Sequence, residues 1–266
     1  MKRELTVAFL PGLLANPDLT ECAVVVTDVL RASTTMIAAL YQGARDVIPV
    51  AEIPDAIAMR DRLRQFGLVQ PHDDNHGDVI LGGERRGVII PGFDYGNSPL
   101  EFTRDVINRK RLILCTTNGT VAVERCRGAK RVLIGALVNV EAVAETVADE
   151  QRLAVVCAGT AGKITLEDVL FAGALIDRLQ SKYGGPWMLD DQATMAQAVW
   201  SNALRRVDAG ESLADQLAQT LGGRNLADLG YHADIEYCAE LDTLPLVPEL
   251  DQTAWLLQQR TVSHSR

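Results

Sequence analysis

The sequence predicts an α/β protein with a largely parallel or mixed sheet in α/β/α layers. Three observations carry this expectation. Strand-like and helix-like runs alternate five times between residues 22 and 185. Strand centres such as Val24-Val25-Val26 and Val155-Val156 are apolar without alternation, as expected where both sheet faces are buried. Residues that open and close helices stand between the runs. Such a pattern belongs to a mostly parallel sheet sandwiched by helices.

In chain order, "CAVVVTDVL" leads into "RASTTMIAALYQGA", with Ser33 near the helix start. "DVIPV" leads into "IPDAIAMRDRLRQFG", which carries Asp55 in its first turn. "RLILCTTNG" leads into "TVAVERCRGAK" with Asn118 as cap, and "RVLIGALV" into "NVEAVAETVADEQ" with Asn139. "LAVVCAGTAGK" leads into "TLEDVLFAGALIDRLQSKYGG", capped by Thr165. Gly43, Gly67, Gly128 and Gly184 stand where these helices should stop. The chain continues mostly helical to about Thr220 and then becomes mixed, and the last residues, "TVSHSR", read as a frayed end. Met195, Val199 and Leu204 read as core positions of the helical stretch 189–221, with a subunit interface as the other reading. A homodimer is compatible with them.

The whole chain, 1–266, reads as one α/β enzyme unit. Part of it resembles a duplication, over about 20–65 and 110–150: Gly43-Ala44-Arg45 falls on Gly128-Ala129-Lys130. Two similar halves would leave a cleft between them as a natural site. Residues 67–109 interrupt the rhythm with "VQPHDDNHGD" and "GGERRGVIIPGFDYGNSPLEF" and read as a long glycine-rich site loop. Its glycines Gly82, Gly83, Gly92 and Gly96 are expected to let the backbone approach a ligand.

Composition excludes several functions. A 47% apolar chain of 266 residues can bury a sizeable core. The net charge of -9 argues against a nucleic-acid surface but leaves room for a small anionic substrate in a local basic or metal-bearing cleft. Five cysteines without a CxxC pair read as buried thiols in a reducing compartment. No run approaches the roughly 20 apolar residues of a membrane span, and the start does not read as a targeting signal. A cytoplasmic protein without membrane partners is expected.

In parallel sheets, ligands bind beyond the carboxyl ends of the strands. Loops 27–35, 115–120, 135–139 and 157–168 should therefore converge. They offer Ser33, Thr34, Thr117, Asn118, Gly119, Gly159 and Thr160, whose hydroxyl, amide and backbone donors suit an anion. Asp28 ends a buried strand. Glu84 and Asp94 lie in the glycine-rich stretch, with Asn97 and Ser98, and Glu167-Asp168 open a helix. Asp28, Glu167 and Asp168 are candidate ligands for Mg²⁺, which takes carboxylates together with phosphate oxygens. Arg31, Arg85, Arg86 and Lys163 are candidate anion clamps. The catalytic candidates are Asp28, Arg31, Glu84, Asp94 and Lys163.

Other chemistries fail on spacing. In "CAGTAGKI", Cys157 and Ile164 stand where a phosphate-binding P-loop needs Gly and Ser/Thr. A thiolate phosphatase loop would need arginine at Lys163. Asp28 is followed by Val29-Leu30, which does not fit a D-x-D nucleophile. His72, His76, His232 and His264 lack zinc-ligand spacing.

"DVLRASTT", "GGERRGVIIPGFDYGNSP", "TTNGT", "GALVN" and "CAGTAGKITLED", spanning residues 28 to 168 in that order, with "YCAELD" at 237–242, resemble the 2-phosphosulfolactate phosphatase family. The resemblance implies Mg²⁺-dependent hydrolysis of 2-phospho-3-sulfolactate to 3-sulfolactate and phosphate, as in coenzyme M biosynthesis, on an unusual α/β fold. Phosphatases of other phosphorylated hydroxy acids and non-catalytic anion binders are the alternatives.

Overall fold

The computed structural model describes residues 3–14, 19–65, 79–184 and 186–259. Gly67 and all of "VQPHDDNHGD", with His72 and His76, lie outside them, as does "TVSHSR" with His264. The strands are β1 (Arg3–Ala8), β2 (Ala23–Thr27), β3 (Asp46–Val50), β4 (Val79–Arg85), β5 (Val88–Ile89), β6 (Arg111–Cys115), β7 (Arg131–Gly135), β8 (Arg152–Cys157), β9 (Trp187–Leu189), β10 (Pro248–Asp251) and β11 (Leu256–Gln259). The helices of the strand-rich part are α1 (Ala32–Tyr41), α2 (Ile53–Gln65), α3 (Arg104–Ile107), α4 (Gly119–Arg125), α5 (Val140–Val147) and α6 (Leu166–Lys182). Then follow α7 (Asp191–Asp208), α8 (Leu213–Ala218), α9 (Leu221–Asp228) and α10 (His232–Cys238).

The fold class is α/β, with one mixed, mostly parallel sheet of 11 strands in the order β5-β4-β6-β3-β11-β10-β7-β2-β8-β1-β9. Parallel β4, β6 and β3 form one half, and parallel β7, β2, β8, β1 and β9 the other. The antiparallel hairpin β10–β11 joins them, through Leu257↔Val47 on one side and Glu249↔Leu133 on the other. Those pairings make the two halves run in opposite directions. Strand twist of about 20–25° per step, over the five steps from β6 to β2, adds roughly 100–125° and swings their carboxyl ends back toward each other.

Side-chain alternation shows how the sheet curls. Val24 and Val26, Val47, Ile80, Leu112 and Leu114, Val132 and Ile134 all enter one core with Met36, Ile37, Ala122 and Val123. The concave face of both halves therefore closes around α1 and α4. The outward residues Ile48, Leu81 and Ile113 pack with Ala56 and Leu63 of α2. On the other half, Val25, Leu133 and Val155 pack with α5, α6 and α7. The strands β2 and β6, each followed by a concave-face helix, lie in different halves, and each chain segment then crosses into the other half as β3 or β7. Gly43 and Gly128 close α1 and α4 at φ +100° and +85°.

Two expectations change here. Val79–Arg85, inside the anticipated site loop, is a strand whose residues up to Glu84 are buried. On α7 the buried face is Ala193, Ala196, Trp200 and Ala203, spaced at helical period. Met195 and Leu204 are exposed, and Val199 alone of the three packs partly on the core. All five cysteines are free and buried. No described helix is long and apolar enough to cross a membrane.

Candidate active site

A cavity of about 510 Å³ opens where the carboxyl ends of β2, β4, β6 and β8 meet α9. Of the residues anticipated from sequence, Asp28, Arg31, Glu84, Arg86, Asn97, Thr117, Asn118 and Thr160 line it. Leu30, Gly87 and Ala161 complete those loops, and Gly222, Asn225, Leu226, Asp228 and Leu229 form the α9 wall.

Asp28 sits just past β2. Its backbone amide donates to the Ser33 hydroxyl at 2.8 Å, and Ser33 N–H donates back to Asp28 O at 2.9 Å. This exchange folds the chain sharply into α1. The Asp28 carboxylate accepts from Ala32 N–H at 3.4 Å. Its pKa is driven well above the ordinary carboxylate range by burial first, then by Asp168, Glu84 and Glu167. Gly119 has to be glycine beside it, because a Cβ there would lie 2.9 Å from Asp28 Oδ2 and 2.5 Å from the Ala32 Cβ.

Glu84 is the last residue but one of β4 and pins two loops. Its Oε1 accepts from Thr117 N–H at 2.9 Å and its Oε2 from Gly87 N–H at 2.7 Å. The Asn118 Oδ1 accepts from Ala161 N–H at 3.1 Å and links the β6 and β8 loops. Arg31 is 3% exposed. Its guanidinium pairs with Asp234, donates to Gly87 O at 3.4 Å and stacks over Tyr231 at 4.2 Å from the ring centre. Asn97 lies in the wall with its Oδ1 buried and without a protein partner.

The remaining anticipated residues do not line the cavity. Asp168 turns into the protein: Oδ1 accepts from Val29 N–H at 2.9 Å, and Oδ2 accepts from Gly159 N–H at 2.9 Å and the Thr165 hydroxyl at 3.2 Å. It clips the β2 and β8 loops together, and burial still raises its pKa to about 6. Glu167 faces the start of α9, where a Cβ on Gly222 would lie 2.0 Å from its Oε1. Burial and then Asp168 raise its pKa to about 7. Arg85 points away, donating to Ala51 O at 2.7 Å and Glu84 O at 2.9 Å, while Arg86 beside it reaches the cavity. Asp94 accepts from Leu81 N–H at 2.8 Å, and Thr34 donates to Val29 O at 2.9 Å. Ser98 donates to Asp234, Lys163 is exposed, and Gly159 is a loop residue at φ +65° packed against Leu10. Loop 135–139 instead holds the C-terminal stretch: Asp242 and Leu244 donate to Leu137 O and Val138 O, and Asn139 to Leu246 O. The glycines Gly82 and Gly83 answer protein crowding rather than a ligand, since a Cβ on Gly83 would lie 2.3 Å from Cys115 O.

Cavity, loops and their order along the chain agree with a whole-length sequence match. A profile of the 2-phosphosulpholactate phosphatase family matches residues 9–253. The chain belongs to that family. A relative from Deinococcus radiodurans named "Probable 2-phosphosulfolactate phosphatase" is 37% identical over 242 residues, covering 90% of this chain and 91% of its own length. Relatives of the same name from Caldanaerobacter subterraneus and Symbiobacterium thermophilum are 35% and 38% identical, covering 88% and 84% of this chain and 89% of their own length in both cases. Membership reaches well beyond the motifs at 28–168. It takes in α9 and α10, which supply the wall of the cavity and the partner of Arg31.

Proposed function

We propose that this chain is a phosphoric monoester hydrolase that converts 2-phospho-3-sulfolactate and water to 3-sulfolactate and inorganic phosphate with Mg²⁺. The observation that carries this reading is Asp28, a buried carboxylate with a raised pKa, in the same cavity as the clamped Arg31. Such a pair supplies a proton acceptor and a hydrogen-bond donor for an anion within one enclosure.

The donor set fits a hard cation. Asp28 and Glu84 are the anticipated carboxylates that face the cavity, and the charges that act most on Asp28 are themselves carboxylates. The described residues contain no cluster of three or more metal-ligating side chains. Mg²⁺ is commonly held by one or two carboxylates, its other positions filled by water and substrate phosphate. Asp28 and Glu84 would hold it, and it would neutralise phosphoryl oxygens.

The protein's own groups do the rest. Remaining Arg31 N–H groups, with Thr117, Asn118 and Thr160, donate to the equatorial phosphoryl oxygens. Asp28 has one long amide contact, so its carboxylate keeps capacity to orient the attacking water and accept its proton. The water oxygen bonds to phosphorus, the ester P–O bond breaks, and the leaving alkoxide takes the proton that Asp28 accepted, becoming the hydroxyl of 3-sulfolactate. Arg86 is placed to hold the sulfonate or carboxylate end. A cytoplasmic location and a role in coenzyme M supply belong to the same proposal.

Phosphate release from 2-phosphosulfolactate, followed with Mg²⁺ and with EDTA, tests it. Release should fall at least about 100-fold in EDTA and return with excess Mg²⁺. Turnover confined to other phosphorylated C3 acids would replace the substrate, and tight binding with no release under any metal would leave an anion binder. The neighbouring arginines give a second check. Arg86→Ala should raise KM for 2-phosphosulfolactate about tenfold, the scale of one charge-assisted contact, with kcat little changed. Arg85→Ala should leave KM unchanged, because its guanidinium serves Ala51 O and Glu84 O.

A further inference from the structure

Arg31 shares its cavity with three carboxylates, Asp28, Glu84 and Asp228 of α9. A loosely held guanidinium there would swing onto Asp28, whose carboxylate has one long amide contact, and fill the space a phosphate needs. The structure shows what holds it back. Asp234 of α10, 3% exposed, takes the Arg31 guanidinium on Oδ2 and the Ser98 hydroxyl on Oδ1, the latter at 2.8 Å. Tyr231, one residue before α10, gives the guanidinium a flat support, with its ring centre 4.2 Å away. Gly87 O takes a further N–H at 3.4 Å. Two chain segments, at 231–234 and at Gly87, therefore fix one side chain, and the buried Asp234 carboxylate, itself held by Ser98, is the hub.

We infer that Asp234 is a positioning residue for catalysis: it keeps Arg31 turned toward the substrate's phosphoryl group and away from Asp28. This rests on the phosphatase reading for its kinetic consequence, but not for its geometry. Neither Asp234 nor Tyr231 touches the space where the phosphate would sit, so Asp234 acts through Arg31. Its replacement should matter only while Arg31 is present.

A double-mutant cycle on the full chain tests this, with Asp234→Asn, Arg31→Gln and the pair. Two quantities are read in Mg²⁺ buffer: kcat/KM for 2-phosphosulfolactate, and the Kd of inorganic phosphate by calorimetry. Asp234→Asn alone should lower kcat/KM about 30-fold and weaken phosphate binding about tenfold, the scale of a displaced charged contact. In the Arg31→Gln background the same change should cost less than about threefold. Equal losses in both backgrounds, or no loss in the parent, would overturn the inference. Should Asp234→Asn fail to fold, Ser98→Ala loosens the carboxylate without leaving a buried charge unpaired. It should give a smaller loss with the same dependence on Arg31, and a loss independent of Arg31 would count against the proposal. If the parent releases no phosphate, the phosphatase reading falls while the phosphate Kd still decides the role of Asp234.

Discussion

Asp28→Asn should reduce phosphate release at least about 1000-fold while leaving the fold intact, within the range general-base and metal-ligand removal spans. The isosteric amide keeps the backbone exchange with Ser33, which uses Asp28 N–H and O rather than the side chain. The variant should also be no less stable than the parent. Asp28 is buried near Asp168, Glu84 and Glu167, and its raised pKa means that the folded state resists its ionisation. A folded state that binds a proton more tightly than the unfolded chain loses stability as pH rises above the ordinary carboxylate pKa. In metal-free buffer the Asn variant should therefore melt higher than the parent at pH 8. The gap should close as the pH falls and Asp28 takes up its proton. Paired thermal melts and phosphate assays check both parts, and near-parent turnover would remove Asp28 from the mechanism.

Asp168→Asn should do the reverse: a large loss of stability, with lost activity as its consequence. Both Asp168 oxygens accept, from two backbone amides and one hydroxyl, on three parts of the chain. An amide in its place turns an N–H group toward one set of donors. Orphaned buried amides cost about 1–3 kcal/mol each. One backbone amide is orphaned whichever way the new amide turns, and for a chain of this size each kcal/mol lowers Tm by about 2–4 °C, so a fall of roughly 2–12 °C is expected. A metal-ligand role would instead give lost turnover at unchanged Tm. The two aspartates thus separate by assay: one fails in chemistry, the other in melting temperature.

Val-rich strands buried on both faces, such as β2 and β8, are legible because short apolar runs rich in β-branched residues, bounded by turn residues, mark them off from buried helices. Asp28, Arg31, Thr117 and Thr160 were visible because they follow such strands, and strand ends define the ligand edge. Glu167 and Asp168 share that position in sequence, but position does not say which way a side chain turns. Asp168 satisfies buried amides and Glu167 abuts α9. β4 was hidden because Gly82-Gly83 weakens its strand signal, yet the close approach of Cys115 O demands small residues there. The α9 wall, Tyr231 and Asp234 could not be read, since short helices far along the chain carry no local mark of facing a cavity. The nearest signal was "YCAELD", a few residues past Asp234.

The hairpin β10–β11 occupies the middle of the sheet order although it is made after every other described strand. During synthesis, β3 and β7 therefore emerge with one flank lacking its neighbour, and neither can be covered until the ribosome has delivered residues 248–259. Open strand flanks invite mispairing with other chains. Nascent protein stalled or cleaved before that point would be expected to clump rather than wait as a half-built monomer, which makes the integrity of the C-terminal region a quality check on the whole molecule.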